Sequence, residues 1–285
     1  MLDRKLLPNF ETQVAGKENF LFLNEGQNVG VIWLEVGDDN GTLLKDLIDE
    51  ILFYLFNEGQ WTFTAEQYQK ILSLRGPKHG IQTSGDPGTA AYRTYIPLWL
   101  DKPWVEPRRE GNLGLNLIGG CEPKIGVSVK SGISNPVLQG WYYYRPLNGG
   151  IGLMTKFKRQ PVQVSGVKNA HVNLEKKDLI QSIHLFPPDN GGYVNEVSLS
   201  LNNRTRIDQI THLQNQASLI GRGLSPDTTA TPRYDILMDE EDPQDIGLPT
   251  GGAQEMTLTT KYSTTVTGTM DIILETIGAP ESAPK

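Results

Sequence analysis

Four histidines, one cysteine and a run of carboxylates are the residues of this 285-residue chain best suited to chemistry, and their spacing decides what each could do. His79, His171, His184 and His212 are scattered, with no His-x-x-x-His pair and no acidic cluster beside any of them. That spacing suits structural or surface histidines rather than metal ligands or general bases. Cys121 follows Gly119-Gly120 with no histidine near it in sequence, no Gly-x-Ser-x-Gly elbow surrounds a serine, and no phosphate loop ends in Gly-Lys-Ser or Gly-Lys-Thr. The expected set of catalytic residues is empty, no cofactor is called for, and a protein without enzymatic activity is expected. Gly149-Gly150-Ile151-Gly152 precedes no predicted helix and reads as a flexible link rather than a nucleotide loop.

The carboxylates leave more room. Asp239, Glu241 and Asp242, in the run 239–242, supply closely spaced hard oxygens that could hold calcium, although a solvated loop suits them better. Between residues 234 and 260 there are acids and no base, whereas Lys156, Lys158, Arg159 and Lys168 make the middle of the chain basic. Charge complementarity between neighbouring subunits is one expectation from this contrast. Arg4 and Lys5, among Leu2, Leu6 and Leu7, form a short arm that could touch anionic lipid, although alone it would bind weakly. Asp101 and Glu106 with Trp99, Trp104 and Trp141 could be drawn into a carbohydrate-active or glycan-binding cleft. Against that reading, Trp99 and Trp141 fall in predicted strands, where an aromatic is more often core.

Those residues must be positioned by strands. Hydrophobic residues make up 38% of the chain and charged residues 21%, enough apolar material for a buried core. The 30 glycines and 18 prolines point to many turns between short strands and away from a helical bundle. A net charge of -7 argues against bulk binding to nucleic acid, whose phosphates want a basic face. A single cysteine offers no internal disulfide, and the first ten residues carry neither a signal peptide nor a membrane span, so synthesis as a soluble cytoplasmic chain is expected.

Short apolar runs bounded by Gly, Pro, Asn or Asp predict strands over 20–23, 29–36, 51–56, 61–64, 92–100, 125–129 and 141–144. They recur over 179–186, 194–201, 234–238, 256–260 and 270–277. Two helices interrupt them. Thr64 caps the first, with Gln67 three residues on and Gly76-Pro77 to stop it. Asp208 is the expected cap of the second, in which Ile210, Leu213, Ala217 and Ile220 share a face and Gly221 terminates. A further short helix is expected over 43–50.

The order of elements repeats. Residues 53–76 run strand, Asn57, strand, capped helix, Leu74-Arg75-Gly76; residues 197–223 run strand, Asn202-Asn203, Ile207, capped helix, and end on Gly223. An apolar strand ending in acid and proline follows in both, then Gly114-Leu115 up to Gly119-Gly120 in one copy and Gly247-Leu248 up to Gly251-Gly252 in the other. The expected organisation is an N-terminal arm (1–17), a first unit (18–147), a basic linker (148–171), a second unit (172–278) and a mobile tail (279–285). Each unit of about eight antiparallel strands and one helix suits a jelly roll. The fold class is all-β: two tandem eight-stranded jelly-roll β-sandwiches, each with a short helix.

On these tandem blocks and paired strand-Asp-Pro segments, the chain resembles the major capsid proteins of the double jelly-roll lineage. The small coat proteins of tailless, membrane-containing bacterial viruses of the corticovirus type are the nearest in style; tectiviruses and adenovirus hexons are larger relatives. The resemblance implies a homotrimer of pseudo-hexagonal outline that tiles an icosahedral virion shell, in contact with minor capsid proteins at vertices and with an internal lipid membrane. The insert over 38–50 in the first unit has no counterpart in the second and departs from that symmetry.

Overall fold

The computed structural model describes residues 3–7, 13–100, 114–147, 149–188, 192–238 and 247–282, and divides into two compact units, Met1–Thr155 with Ala279–Lys285, and Lys156–Gly278.

In the first unit, alternation of apolar and polar residues sets which side of each strand turns inward. The elements are β1 (Asp3–Leu6), β2 (Glu18–Phe22), β3 (Gln27–Gly37), a single helical turn α1 (Leu44–Leu47), β4 (Ile48–Leu55), β5 (Glu58–Thr64) and α2 (Ala65–Leu74). They continue as β6 (Gln82–Ser84), β7 (Arg93–Trp99), β8 (Leu115–Leu117), β9 (Lys124–Val129) and β10 (Val137–Pro146). One sheet runs β1-β10-β3-β7-β6, with β8 also on β3, and β5-β4-β9-β2 forms a second. Ile32, Leu34, Ile96 and Leu98 from the first and Phe53, Trp61, Phe63 and Ile125 from the second are fully buried. Against them α2 buries Tyr68, whose ring stacks on Phe63 at 4.4 Å and whose hydroxyl donates to the Pro97 carbonyl at 2.8 Å.

The second unit holds most of β11 (Met154–Asn173), then β12 (Leu179–Phe186), β13 (Val194–Leu201), β14 (Arg204–Thr211), α3 (His212–Gly221), β15 (Tyr234–Leu237), β16 (Leu248–Pro249) and β17 (Met256–Gly278). Its core gathers Ile183, Leu185, Val197, Leu199, Tyr234, Leu258 and Ile272. Each unit is a jelly-roll sandwich with one principal helix, and the chain is two of them in tandem.

The duplication extends to the pairing pattern. β3 pairs with β7, β8 and β10, and β12 pairs with β15, β16 and the C-terminal half of β17. β4 pairs with β5 and β9, and β13 with β14 and the N-terminal half of β17. Both hairpins turn on two residues of positive φ, Phe56 and Asn57 (53° and 59°) and Asn202 and Asn203 (50° and 59°), the mirror-image turn that matches strand twist. The turn N–H of Phe56 donates to Cys121 O, and that of Asn202 to Glu255 O. Thr64 with Gln67 and Thr211 with Gln214 form identical capping boxes. At the helix ends Arg75 and Arg222 are the C-caps, followed by left-handed Gly76 and Gly223.

Several expectations need correction. The second helix is capped by Thr211 rather than Asp208, because β14 runs three residues further and carries an extra residue at Gln209, whose φ is 49°. Gly223, not Gly221, is its left-handed terminator. The expected linker over 148–171 is largely β11, where Val162, Val164 and Val172 alternate with polar residues. Gln163 there donates to Thr269 on β17 at 2.7 Å, and the Gly166 N–H to Thr267 at 2.9 Å. The strands expected at 256–260 and 270–277 are two halves of one 23-residue strand. The helix expected over 43–50 shrinks to α1, since Ile48 already starts β4.

Candidate functional site

Register assembles a polar cluster in the second unit from residues distant in sequence. Ser182 and His184 lie two apart on β12 and share a face; opposite them stand Glu275 on β17 and Asp235 on β15. His184 Nδ1 donates to Asp235 Oδ1 at 2.7 Å, and Arg233 Nε donates to the same oxygen at 2.5 Å. The Ser182 hydroxyl donates to Glu275, whose Oε2 lies 3.7 Å from His184 Nε2. All five residues are buried. Burial alone would raise the Asp235 pKa, but the Arg233 charge and the His184 hydrogen bond outweigh it and hold the carboxyl near pKa 2. Serine, histidine and aspartate are therefore present together, but the serine hydroxyl points to a carboxylate rather than to the imidazole, and no member reaches solvent. Nucleophilic catalysis needs the reverse of both conditions. This arrangement ties β12, β15 and β17 to one another.

In the first unit, the outward side of the β1-β10-β3-β7 sheet is aromatic. Trp33 and Trp141 face each other across the β3-β10 register with centroids 6.2 Å apart and nearly parallel rings. Tyr95 meets Trp141 edge-on, and Trp99 meets Trp33 the same way. These side chains are half-buried, which corrects the expectation that Trp99 and Trp141 belong to the core. Both lie in strands as expected, but on the outward side, because Ile96, Leu98, Leu138 and Tyr142 take the inward positions.

The remaining expected site residues fall separately. Arg4 and Lys5 lie in β1, paired with Tyr143 and Tyr142, so residues 3–6 form an edge strand rather than a free arm, and the Arg4 guanidinium sits 5.1 Å from the Trp141 ring centre. Asp239, Glu241 and Asp242, along with Asp101, Trp104 and Glu106, lie outside the described residues. Among the described residues no group of three or more His, Cys, Asp or Glu is placed to hold a metal ion. Of the basic residues expected to attract acidic neighbours, Lys156 pairs with Asp178 at 2.5 Å, Lys158 with Glu175 at 3.4 Å and Arg159 with Asp271 at 2.9 Å, all within the second unit. His79 meets Trp99 edge-on, His171 bonds Thr259 at 3.0 Å, and His212 packs between Tyr193 and Tyr234. Burial lowers the pKa of His79 and of His212. The Cys121 thiol is fully buried, and burial with nearby Glu25 pushes its pKa up to about 12, which removes the thiolate that reactivity requires.

No family model and no curated protein sequence matches the chain. Solved structures do. The major capsid protein of bacteriophage PM2 superposes with a TM-score of 0.80 over 99% of this chain and 100% of its own, at 16% identity. The capsid protein of the virus PBCV-1 gives 0.70 over 97% and 93%, at 13% identity. The major capsid protein of Sulfolobus turreted icosahedral virus gives 0.69 over 97% and 96%, at 10% identity. The chain has the double jelly-roll fold of these proteins.

Proposed function

We propose that this chain is the major coat protein of a virus and works as a building block without catalysis. Three copies form a ring of six jelly rolls, and the rings tile an icosahedral shell. The observation that carries the reading is full-length likeness: both rolls, in the same order, account for 99% of this chain and 100% of the PM2 capsid protein. The duplication then has a physical purpose. A trimer of a twofold-repeated chain presents six comparable edges, which closes a near-hexagonal lattice with one gene product. Minor proteins at the vertices and a lipid membrane beneath the shell belong to the same reading, as does residence in the virion.

Light scattering with negative-stain imaging of the purified protein tests it. The expected result is a stable trimer of hexagonal outline that joins into sheets or shells as concentration rises. A monomer at every concentration overturns the reading.

A further inference from the structure

The internal duplication supplies a control within the molecule for each surface of either unit, and the two helices fail to match. α2 and α3 occupy the same place in their rolls, with the same capping box, the same Arg C-cap and the same left-handed glycine. By that alignment Leu213, Ala217 and Ile220 of α3 stand where α2 has Glu66, Lys70 and Ser73. The α2 set behaves as a solvated face should: Lys70 and Glu66 pair at 2.8 Å across one turn. The α3 set is apolar yet open to solvent, with Leu213 76% and Ile220 62% exposed. The inward positions differ in the opposite sense. Tyr68 and Ile71, buried in α2, correspond to Asn215 and Ser218, and α3 buries only His212 and Leu219. Of the sequence periodicity 210-213-217-220, which predicts a core face, Ile210 lies half-buried on β14 and the other three mark a stripe facing out.

We infer that the Leu213-Ala217-Ile220 stripe of α3 is a contact surface for a second copy of this chain. This rests on the coat-protein reading and names one of its contacts. Two properties select the partner. α3 carries no Asp, Glu, Lys or Arg between its caps, so the stripe of one copy can meet that of another without placing like charges in direct contact. The stripe is also small. A free-standing complex needs about 800 Å² from each partner, some 20–30 residues a side, which three side chains on one helix do not approach. A contact of that size suits a lattice, where many copies of it act together.

The test gives α3 the residues α2 already uses, Leu213→Glu, Ala217→Lys and Ile220→Ser, a set that this same fold tolerates in its first roll. Light scattering should show the concentration for assembly rising about tenfold or more, with the circular dichroism spectrum unchanged. Hydrogen exchange on the unaltered protein is the second measurement and needs no variant: α3 amides should gain protection on assembly and α2 amides should not. Assembly of the unaltered protein without α3 protection overturns this inference alone. A protein that never assembles overturns it together with the coat-protein reading. Flotation with phosphatidylcholine-phosphatidylglycerol vesicles, lost in the triple variant while assembly persists, would assign the stripe to lipid and overturn it as well.

Discussion

At the residue scale, the buried Asp235 holds both Arg233 and His184. Asp235→Asn keeps the shape but leaves the Arg233 guanidinium buried beside a neutral group, and breaking a buried pair in this way costs about 3–5 kcal/mol. The pH dependence follows from the direction of the shift. The carboxyl falls from the ordinary 3.8 to about 2 on folding, so its contribution is present above pH 3.8 and is lost as pH falls from there through 2. Urea unfolding should therefore show a large gap between the native protein and Asp235→Asn at pH 7 that narrows below pH 4. A gap independent of pH would mean that the carboxylate charge contributes nothing. None of this cluster was visible beforehand. Ser182, Asp235 and Glu275 become neighbours only through strand register, and a sequence read along its length shows a lone histidine with no acid beside it.

At the scale of elements, the local chemistry was legible and the long-range chemistry was not. Thr64 and Gln67 announce a helix start, and Asn203 announces a tight hairpin, because capping and positive φ are written within four residues. The faces of helices are not legible, since an apolar stripe at helical spacing looks the same whether it turns inward or outward; the α3 stripe turns outward. β11 was hidden by its lysines and arginine, which sit on an otherwise alternating strand and find their carboxylates inside the second unit. Two glycines show how closely the repeated elements agree. Gly114 (φ 100°) and Gly247 (φ 134°) each precede the short strand on the edge of β3 or β12, and a Cβ there would lie 2.6 Å from Val29 O or 2.5 Å from Ile180 O. Backbone oxygens within a paired sheet have little room to give. Alanine at either position should cost more than about 3 kcal/mol, combining clash with a φ that L residues avoid. Alanine at Gly120 or Gly252, both at φ 80° with nothing within 4 Å of the added carbon, should cost only about 1–2 kcal/mol. Thermal melts of the four variants check the pairing: equal losses at all four would remove steric approach as the cause.

For the whole molecule, the duplication and the net charge pull in different directions. On the coat-protein proposal each copy meets others of its kind, yet each carries a formal charge of -7, so identical chains repel at low ionic strength. Three of the basic residues that could offset this repulsion between copies, Lys156, Lys158 and Arg159, are engaged by Asp178, Glu175 and Asp271 of the same unit. Apolar contact such as the α3 stripe would provide is not screened by salt, whereas the repulsion is. At 0.5 M NaCl the Debye length falls to about 4 Å, against about 20 Å at 0.02 M, so copies can approach without feeling most of one another's charge. Assembly followed by light scattering should therefore begin at lower protein concentration in 0.5 M than in 0.02 M NaCl. The opposite outcome, assemblies that dissolve as salt is added, would mean that ion pairs between copies hold them together, and would return the acidic run 239–242 to consideration as the charged half of that contact.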